Sequence, residues 1–302
     1  MPDSRTTGPH ARAIGTVYTV LAATGFAAVS ILTAKALATG LTLATILAWR
    51  YLLSALLLSL WVLAHTYRPM PRRAVLGFVV VGGFGQALVV YLALSALRFI
   101  PAALLAFLFY TYPLWVTIGQ ALRGAERADR RQLAALTLSL MGIVTMVGGI
   151  GVGGTDWRGV ALALGAALLY GAYIPVLRTL QGDHPVAPSS ALAKLGAAAA
   201  FLVGSVVSQS FTWRLSGDAW RTVTALAVGS TVLPSVFFLM GLMRLGATRT
   251  AIVSTVEPFL TALLAAILLA QPFTGRTLLG GALIASAMLL LQLRGASEAA
   301  AN

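Results

Sequence analysis

Ten apolar stretches follow one another along this chain, each close to the roughly 20 residues that a helix needs to cross a bilayer. Short polar loops separate them, so each stretch can form a membrane-spanning helix. The sequence therefore predicts an all-α integral membrane protein with ten transmembrane helices. The predicted spans are 13–33, 42–64, 74–95, 101–122, 132–151, 157–178, 189–209, 220–241, 248–270 and 276–294.

The composition excludes a soluble protein, although 302 residues would suffice for one large or two ordinary soluble domains. Hydrophobic residues make up 59% of the chain and charged residues 10%, against roughly 25% charged in a soluble domain. The chain has no cysteine, which excludes disulfides, thiolate metal sites and cysteine nucleophiles. Its histidines lie in polar stretches between apolar runs, so we predict no metal site and no cofactor.

The net charge of +13 has two interpretations. A strongly basic chain is typical of nucleic-acid binding, but here the arginines lie at the ends of apolar stretches, as membrane topology requires. With the N-terminus inside, the short loops and tails carry thirteen basic residues on the inner side and six on the outer side. This bias favours cytoplasmic tails at 1–12 and 295–302 and no nucleic-acid partner. The first apolar stretch is too long for a signal peptide.

The second half of the chain repeats the first. A shift of 145 positions brings Pro113 onto Pro258, and a shift of 144 brings Arg50 onto Lys194. We therefore predict two five-helix units, at 13–151 and 157–294. Because each unit crosses the membrane an odd number of times, the second must enter from the opposite side, which gives an inverted-topology repeat.

Charged side chains inside the predicted crossings mark candidate functional positions, because a charge at mid-membrane costs several kcal/mol unless it is paired or wet. Only Glu257, Arg50 and Lys194 lie well inside a predicted crossing, away from its ends. Glu257 is a candidate site for a proton or a solute amine. The alternatives are a structural pair with Arg50 or Lys194, and a hydrogen bond near the Pro258 kink. Arg50 and Lys194 fit a structural role at least as well as a substrate role.

Prolines within the crossings predict helix bends, since each removes a backbone donor. Pro113 and Pro258 are equivalent in the two units, so both units would bend at the same place. Such bends frame a cavity or act as hinges, and the alternative is a kink that serves packing alone.

Aromatic and amide side chains concentrate in the third, fourth and sixth stretches. An apolar pocket with a few hydroxyls and one amide suits a small amphipathic solute. The alternative is that these side chains face lipid. The candidate pocket residues are Gln86, Tyr91, Tyr110, Tyr112, Tyr170 and Tyr173.

Enzymatic motifs are missing from the sequence. Neither lysine follows a glycine, so there is no phosphate-binding loop, and there is no G-x-S-x-G or H-E-x-x-H. Two alternatives to transport stay open: a lipid-binding or scaffold protein, and an intramembrane hydrolase with Lys194 beside Ser189 or Ser190. A channel is disfavoured, because no ring of pore charges is visible.

The arginine in the second helix, the run from Arg98 to Pro113 followed by Gly-Ala-Glu126-Arg, and the Glu257-Pro258 pair resemble the EamA branch of the drug/metabolite transporter superfamily. Gln271 departs from the acidic residue that the family often has there. The resemblance implies alternating access around a central cavity and export of amino acids or similar metabolites across a bacterial-type inner membrane. Protons are a candidate coupling ion. The solute and the oligomeric state are not predicted.

Overall fold

Helices account for all regular structure in the described part of the chain. The computed structural model describes residues 9–65, 69–96, 98–100, 105, 108–124, 129–147, 156–269 and 274–299. The helices are α1 Pro9–Leu37, α2 Leu43–His65, α3 Arg72–Ala96, α4 Tyr112–Leu122, α5 Arg130–Val147, α6 Trp157–Gln181, α7 Val186–Val207, α8 Gly217–Leu245, α9 Ala247–Ser254, α10 Glu257–Leu269 and α11 Gly275–Ala299.

Seven segments of the described chain are long and apolar enough to cross a membrane. They are α1, α2, α3, α6, α7, α8 and the segment Ala247–Leu268, which joins α9 to α10. The fourth predicted crossing is represented by α4, because most of 101–107 lies outside the described residues. The helical fold is confirmed, and the count of ten crossings stays a prediction.

Side chains in the polar loops cap the first turns of two helices. The Asp156 carboxylate accepts from the backbone N–H of Arg158 at the start of α6, and the Ser216 hydroxyl accepts from that of Ala219 in α8. Such side chains satisfy backbone donors that have no partner within the helix. Gly246, with φ at +82°, makes the sharp corner between α8 and α9, a conformation that favours glycine.

The helix packing repeats itself across the two halves. The contact of α1 with α8 is repeated by that of α6 with α3. The contact of α3 with α7 is repeated by that of α8 with α2, and the contact of α4 with α6 by that of α10 with α1. The remaining large contacts join equivalent helices, α2 with α7 and α5 with α11. The two halves are therefore interleaved, and each helix of one half meets the counterpart expected from the other.

Equivalent helices run in opposite directions. Thr45 near the start of α2 donates to the carbonyl of Ser210, just beyond the end of α7, at 2.7 Å. Farther along α2, Leu58 and Val62 pack against Ala191, near the start of α7. The α2 and α7 helices are therefore antiparallel, although they occupy equivalent positions in the sequence repeat.

Glycines allow the closest helix contact, between α3 and α7. A Cβ at Gly83 would lie 2.5 Å from the Cα of Gly196, and one at Gly196 would collide with the carbonyl oxygen of Val79. Small residues commonly permit such backbone contact between membrane helices. This contact fixes α7 beside the segment Phe78–Phe84 of α3, which is a π-helix.

Candidate functional site

Tyrosine rings from α6, from α4 and from the turn before α4 form a cluster at the centre of the bundle. The ring of Tyr112 lies edge-on to that of Tyr170, with 4.8 Å between centroids, and Tyr170 stacks on Tyr173 at 6.2 Å. Tyr110 lies 6.2 Å from Tyr112. The structure thus brings together four of the five tyrosines that the sequence analysis placed in a pocket.

Tyr91, the fifth, lies elsewhere. Tyr91, on α3, is 60% exposed and does not line the central cavity. The expectation that Tyr91 lines the pocket is therefore wrong. Position along α3 did not reveal this, because the sequence does not show which face of an almost wholly apolar helix is turned inward.

Glu257 is the first residue of α10, at the edge of this tyrosine cluster. The side chains of Tyr110, Tyr112 and Tyr170 are all close enough to its carboxylate to interact with it electrostatically. Glu257 is not paired with Arg50 or Lys194, so the predicted ion pair is not formed in this structure.

The position of Glu257 depends on a helix break. A turn at Thr255 and Val256 separates α9 from α10, and Pro258 is the second residue of the new helix. Proline is favoured in the first turn of a helix, where its missing N–H is not needed. The backbone N–H of Thr255 bonds to Ile252, at 3.1 Å, instead of to Ala251. The Ala251 carbonyl accepts instead from the Tyr112 hydroxyl, at 3.3 Å.

The first half breaks at the equivalent place. Tyr110 and Thr111 form the turn, and α4 begins at Tyr112 with Pro113 as its second residue. Tyr112 and Glu257 are therefore equivalent residues that begin equivalent helices and meet at the same cluster. The site lies where the two helix breaks face each other.

Two buried cations lie on the other side of the tyrosine cluster. Arg50 on α2 is 5% exposed and Lys194 on α7 is 2% exposed. Both flank the ring of Tyr51, with the guanidinium carbon 5.4 Å and the ammonium nitrogen 5.6 Å from its centroid. Such cation–π contacts contribute up to about 2 kcal/mol when desolvated, which is less than the cost of burying two charges.

Arg50 and Lys194 donate hydrogen bonds to different helices. Arg50 donates from Nε to the Thr231 hydroxyl at 2.6 Å and from Nη2 to the Ser230 carbonyl at 3.1 Å, both in the π-helical segment Val228–Val232 of α8. Lys194 donates to the amide oxygen of Gln86 on α3 at 2.8 Å. Within the described residues, neither cation is paired with a carboxylate.

A small cavity lies beside Lys194. Its volume is about 50 Å³, which is room for a few water molecules, whereas pockets for small-molecule ligands measure roughly 300–1,000 Å³. Helices from both halves contribute to its lining. The described lining residues are Phe26, Phe78, Gln86, Tyr170, Tyr173, Leu177, Ser189, Ser190, Ala193, Lys194, Ser235, Phe238 and Leu239.

The sequence indicated Ser189 and Ser190 only as partners of Lys194 in a hydrolase, and it did not indicate Ser235. The hydroxyls of Ser190 on α7 and Ser235 on α8 are buried and have no hydrogen-bond partner. Ser189 is different, because its hydroxyl donates to the amide oxygen of Gln181 at 2.7 Å. Ser190 and Lys194 are one helical turn apart on α7, but the sequence could not show that Ser235 of α8 lines the same cavity.

The chain matches the model of the EamA-like transporter family twice, over residues 13–148 and 157–293. The chain belongs to the EamA-like transporter family. This family is part of the drug/metabolite transporter superfamily, so the resemblance seen in the sequence is confirmed. The two matched segments correspond to the two interleaved halves of the structure.

The fold is also found among solved structures. One, described only as the crystal structure of a protein, aligns with a TM-score of 0.80 at 19% sequence identity, over 94% of this chain and 98% of its own. At that identity the likeness shows the fold alone. No curated protein matches the chain.

Proposed function

We propose that this EamA-family protein is a secondary transporter that exports amino acids or similar small amphipathic metabolites by alternating access. Membership of the family supports a membrane transporter of small solutes. The amino-acid class, the outward direction and a bacterial-type inner membrane are inferences from the family resemblance. Glu257 is our candidate site for a solute amine or a coupling proton.

The proposed membrane topology of the protein has two inverted five-helix units, ten crossings and both termini in the cytoplasm. Three observations support it: the two family matches, the antiparallel contact of α2 with α7, and the opposite direction of α5 and α11. On the last pair, Gly142 in the second half of α5 contacts Gly280 near the start of α11. Earlier in α5, Ala135 packs in one cluster with Ala287, which lies later in α11.

The small cavity between the halves is the observation that supports the transport proposal. It holds a cation, an amide and unpartnered hydroxyls at the centre of an apolar bundle. A space of about 50 Å³ does not admit a metabolite, so a solute must enter after the halves move. The facing helix breaks at Thr111 and Val256 supply points where helices can bend. In this proposal, Pro113 and Pro258 act in gating.

Counterflow in proteoliposomes tests the proposal. The purified protein is reconstituted, loaded with one unlabelled amino acid at a time, and given the same labelled amino acid outside. We expect transient accumulation of label for at least one amino acid above that of protein-free liposomes. A scaffold or lipid-binding protein would give no accumulation across the panel, and that result would contradict the proposal.

A variant pair connects the transport signal to the site. Tyr170→Ala opens the tyrosine cluster, whereas Tyr91→Ala changes an exposed ring on α3. We expect the first variant to lose counterflow and the second to keep it. Equal loss in both variants would show that the signal does not depend on the central cluster.

A further inference from the structure

The cavity beside Lys194 has the chemistry of an anion site. It is lined by one ammonium group, one amide and three serines, and no acidic side chain is among its described lining residues. The Arg50 guanidinium, which also contacts the Tyr51 ring, adds positive potential nearby. Two buried cations that no described carboxylate neutralises are costly in a membrane interior, unless an anion or water joins them during the working cycle.

Lys194 retains unused hydrogen-bonding capacity. An ammonium group has three donors, and the structure shows one hydrogen bond from it, to Gln86 at 2.8 Å. Ser190 lies one turn before Lys194 on the same face of α7, and Ser235 reaches the cavity from α8. Both hydroxyls are buried without a partner, which costs roughly 1–3 kcal/mol for each group. A ligand with acceptor oxygens would satisfy all three side chains at once.

We propose that Lys194, Ser190 and Ser235 form the subsite that binds the carboxylate of the transported solute. The inference deepens the proposed function and rests on it: the solutes are then small carboxylates or zwitterions rather than amines or uncharged compounds. The geometry separates two roles, because Lys194 lies in the cavity while Arg50 is held by Thr231 and Ser230. Lys194 binds the anion, and Arg50 joins α2 to α8.

Tyr170 connects this subsite to the carboxylate of Glu257. Its ring lines the cavity and also packs on Tyr112, beside Glu257. A zwitterion placed with its carboxylate at Lys194 would therefore have the tyrosine cluster, and Glu257 behind it, in the direction of its ammonium group.

Binding of matched probes tests the subsite without transport. The full-length protein, purified in detergent, is titrated with 3-phenylpropionate and 4-methylpentanoate and with their isosteric amides, with thermal unfolding as the readout. We expect the protein to bind at least one of the carboxylates and to bind it more tightly than its amide by about tenfold or more, the value of a hydrogen bond to a charged group. No binding of either carboxylate, or equal binding of acid and amide in both pairs, would overturn the proposal.

Variants of Lys194 and Ser190 test whether the preference for carboxylate over amide arises at this subsite. Lys194→Gln should abolish the difference between acid and amide, and Ser190→Ala, a milder change, should reduce it. Lys35→Gln removes the only other lysine, which lies at the end of α1, and should leave the difference intact. Retention of the full preference in both Lys194→Gln and Ser190→Ala would contradict the proposal.

The two proposals fail in different ways. A carboxylate preference without counterflow of any solute would support the subsite and count against the carrier. Counterflow of amines or uncharged solutes, without a carboxylate preference in binding, would support the carrier and overturn the subsite.

Discussion

At the scale of single residues, equivalent positions in the two halves have diverged. Arg50 and Lys194 are related by the repeat and flank the same Tyr51 ring, yet one bonds to α8 and the other to α3. Tyr112 and Glu257 are likewise related, and only one of them carries a charge. A site between two repeats gains chemical asymmetry in this way while the backbone keeps its repeated form.

Replacement of the Glu257 carboxylate should be costly for transport. Glu257→Gln keeps the size of the side chain but removes the charge that faces Tyr110, Tyr112 and Tyr170. We expect counterflow to fall by about tenfold or more, the value of a hydrogen bond to a charged group, or to lose its dependence on pH. Asp183→Asn, in the loop before α7, removes an exposed carboxylate that is not part of the tyrosine cluster and serves as the control. Wild-type rate and pH profile in Glu257→Gln would remove Glu257 from the mechanism.

The Tyr112 hydroxyl should stabilise the helix break. Tyr112→Phe leaves the buried Ala251 carbonyl without its 3.3 Å partner, and an unsatisfied buried acceptor costs roughly 1–3 kcal/mol. We expect a lower thermal unfolding temperature for Tyr112→Phe than for Tyr91→Phe, which changes an exposed side chain. Equal unfolding temperatures would show that the hydroxyl contributes nothing to the break.

At the scale of helices, the π-helical segments of the two halves lie at equivalent positions of the sequence repeat. The segment Phe78–Phe84 in α3 overlaps Val228–Val232 in α8 once the halves are aligned. The first accepts a 2.8 Å hydrogen bond from Tyr173, at the carbonyl of Gly82, and the second holds Arg50. Segments with π geometry are frequent at functional sites, and here both bind side chains from the central region.

The contact between α3 and α7 gives a prediction on stability. A methyl group at Gly196 would collide with the Val79 carbonyl, whereas one at Gly204 on the same helix would meet no atom within 4 Å. We expect Gly196→Ala to lower the free energy of unfolding by roughly 1–3 kcal/mol, the usual cost of overpacking. Gly204→Ala should be neutral or slightly stabilising, and thermal unfolding of the purified variants measures both. A stable Gly196→Ala protein would show that the helices are farther apart than described.

The helices could be predicted from the sequence, but the inward faces of the helices only in part. Long apolar runs between arginine-rich loops place helices directly, and the repeated proline positions indicate where α4 and α10 begin. The pattern cannot say which side of an apolar helix is buried, because lipid and protein interior are equally apolar. Tyr91 was assigned to the pocket and Ser235 was overlooked for this single reason.

At the scale of the whole molecule, the halves are interleaved rather than laid side by side. Each of α1 and α6 packs on a helix of the opposite half, and α2 with α7 and α5 with α11 join the halves at two further places. A movement of one half must therefore change several of these interfaces together. The cavity lies between them, which is the place where such a movement would open and close access.

The most direct test of the inverted repeat asks on which side of the membrane two repeat-equivalent positions lie. Position 98 follows α3, and its repeat-equivalent 244 is in the last turn of α8. The chain has no cysteine, so Arg98→Cys and Arg244→Cys each introduce a single reactive thiol. Labelling of intact cells with a membrane-impermeant maleimide is compared with labelling after permeabilisation, which controls for burial of either position. We expect position 98 to label in intact cells and position 244 only after permeabilisation; labelling of both from the same side would contradict the inverted repeat.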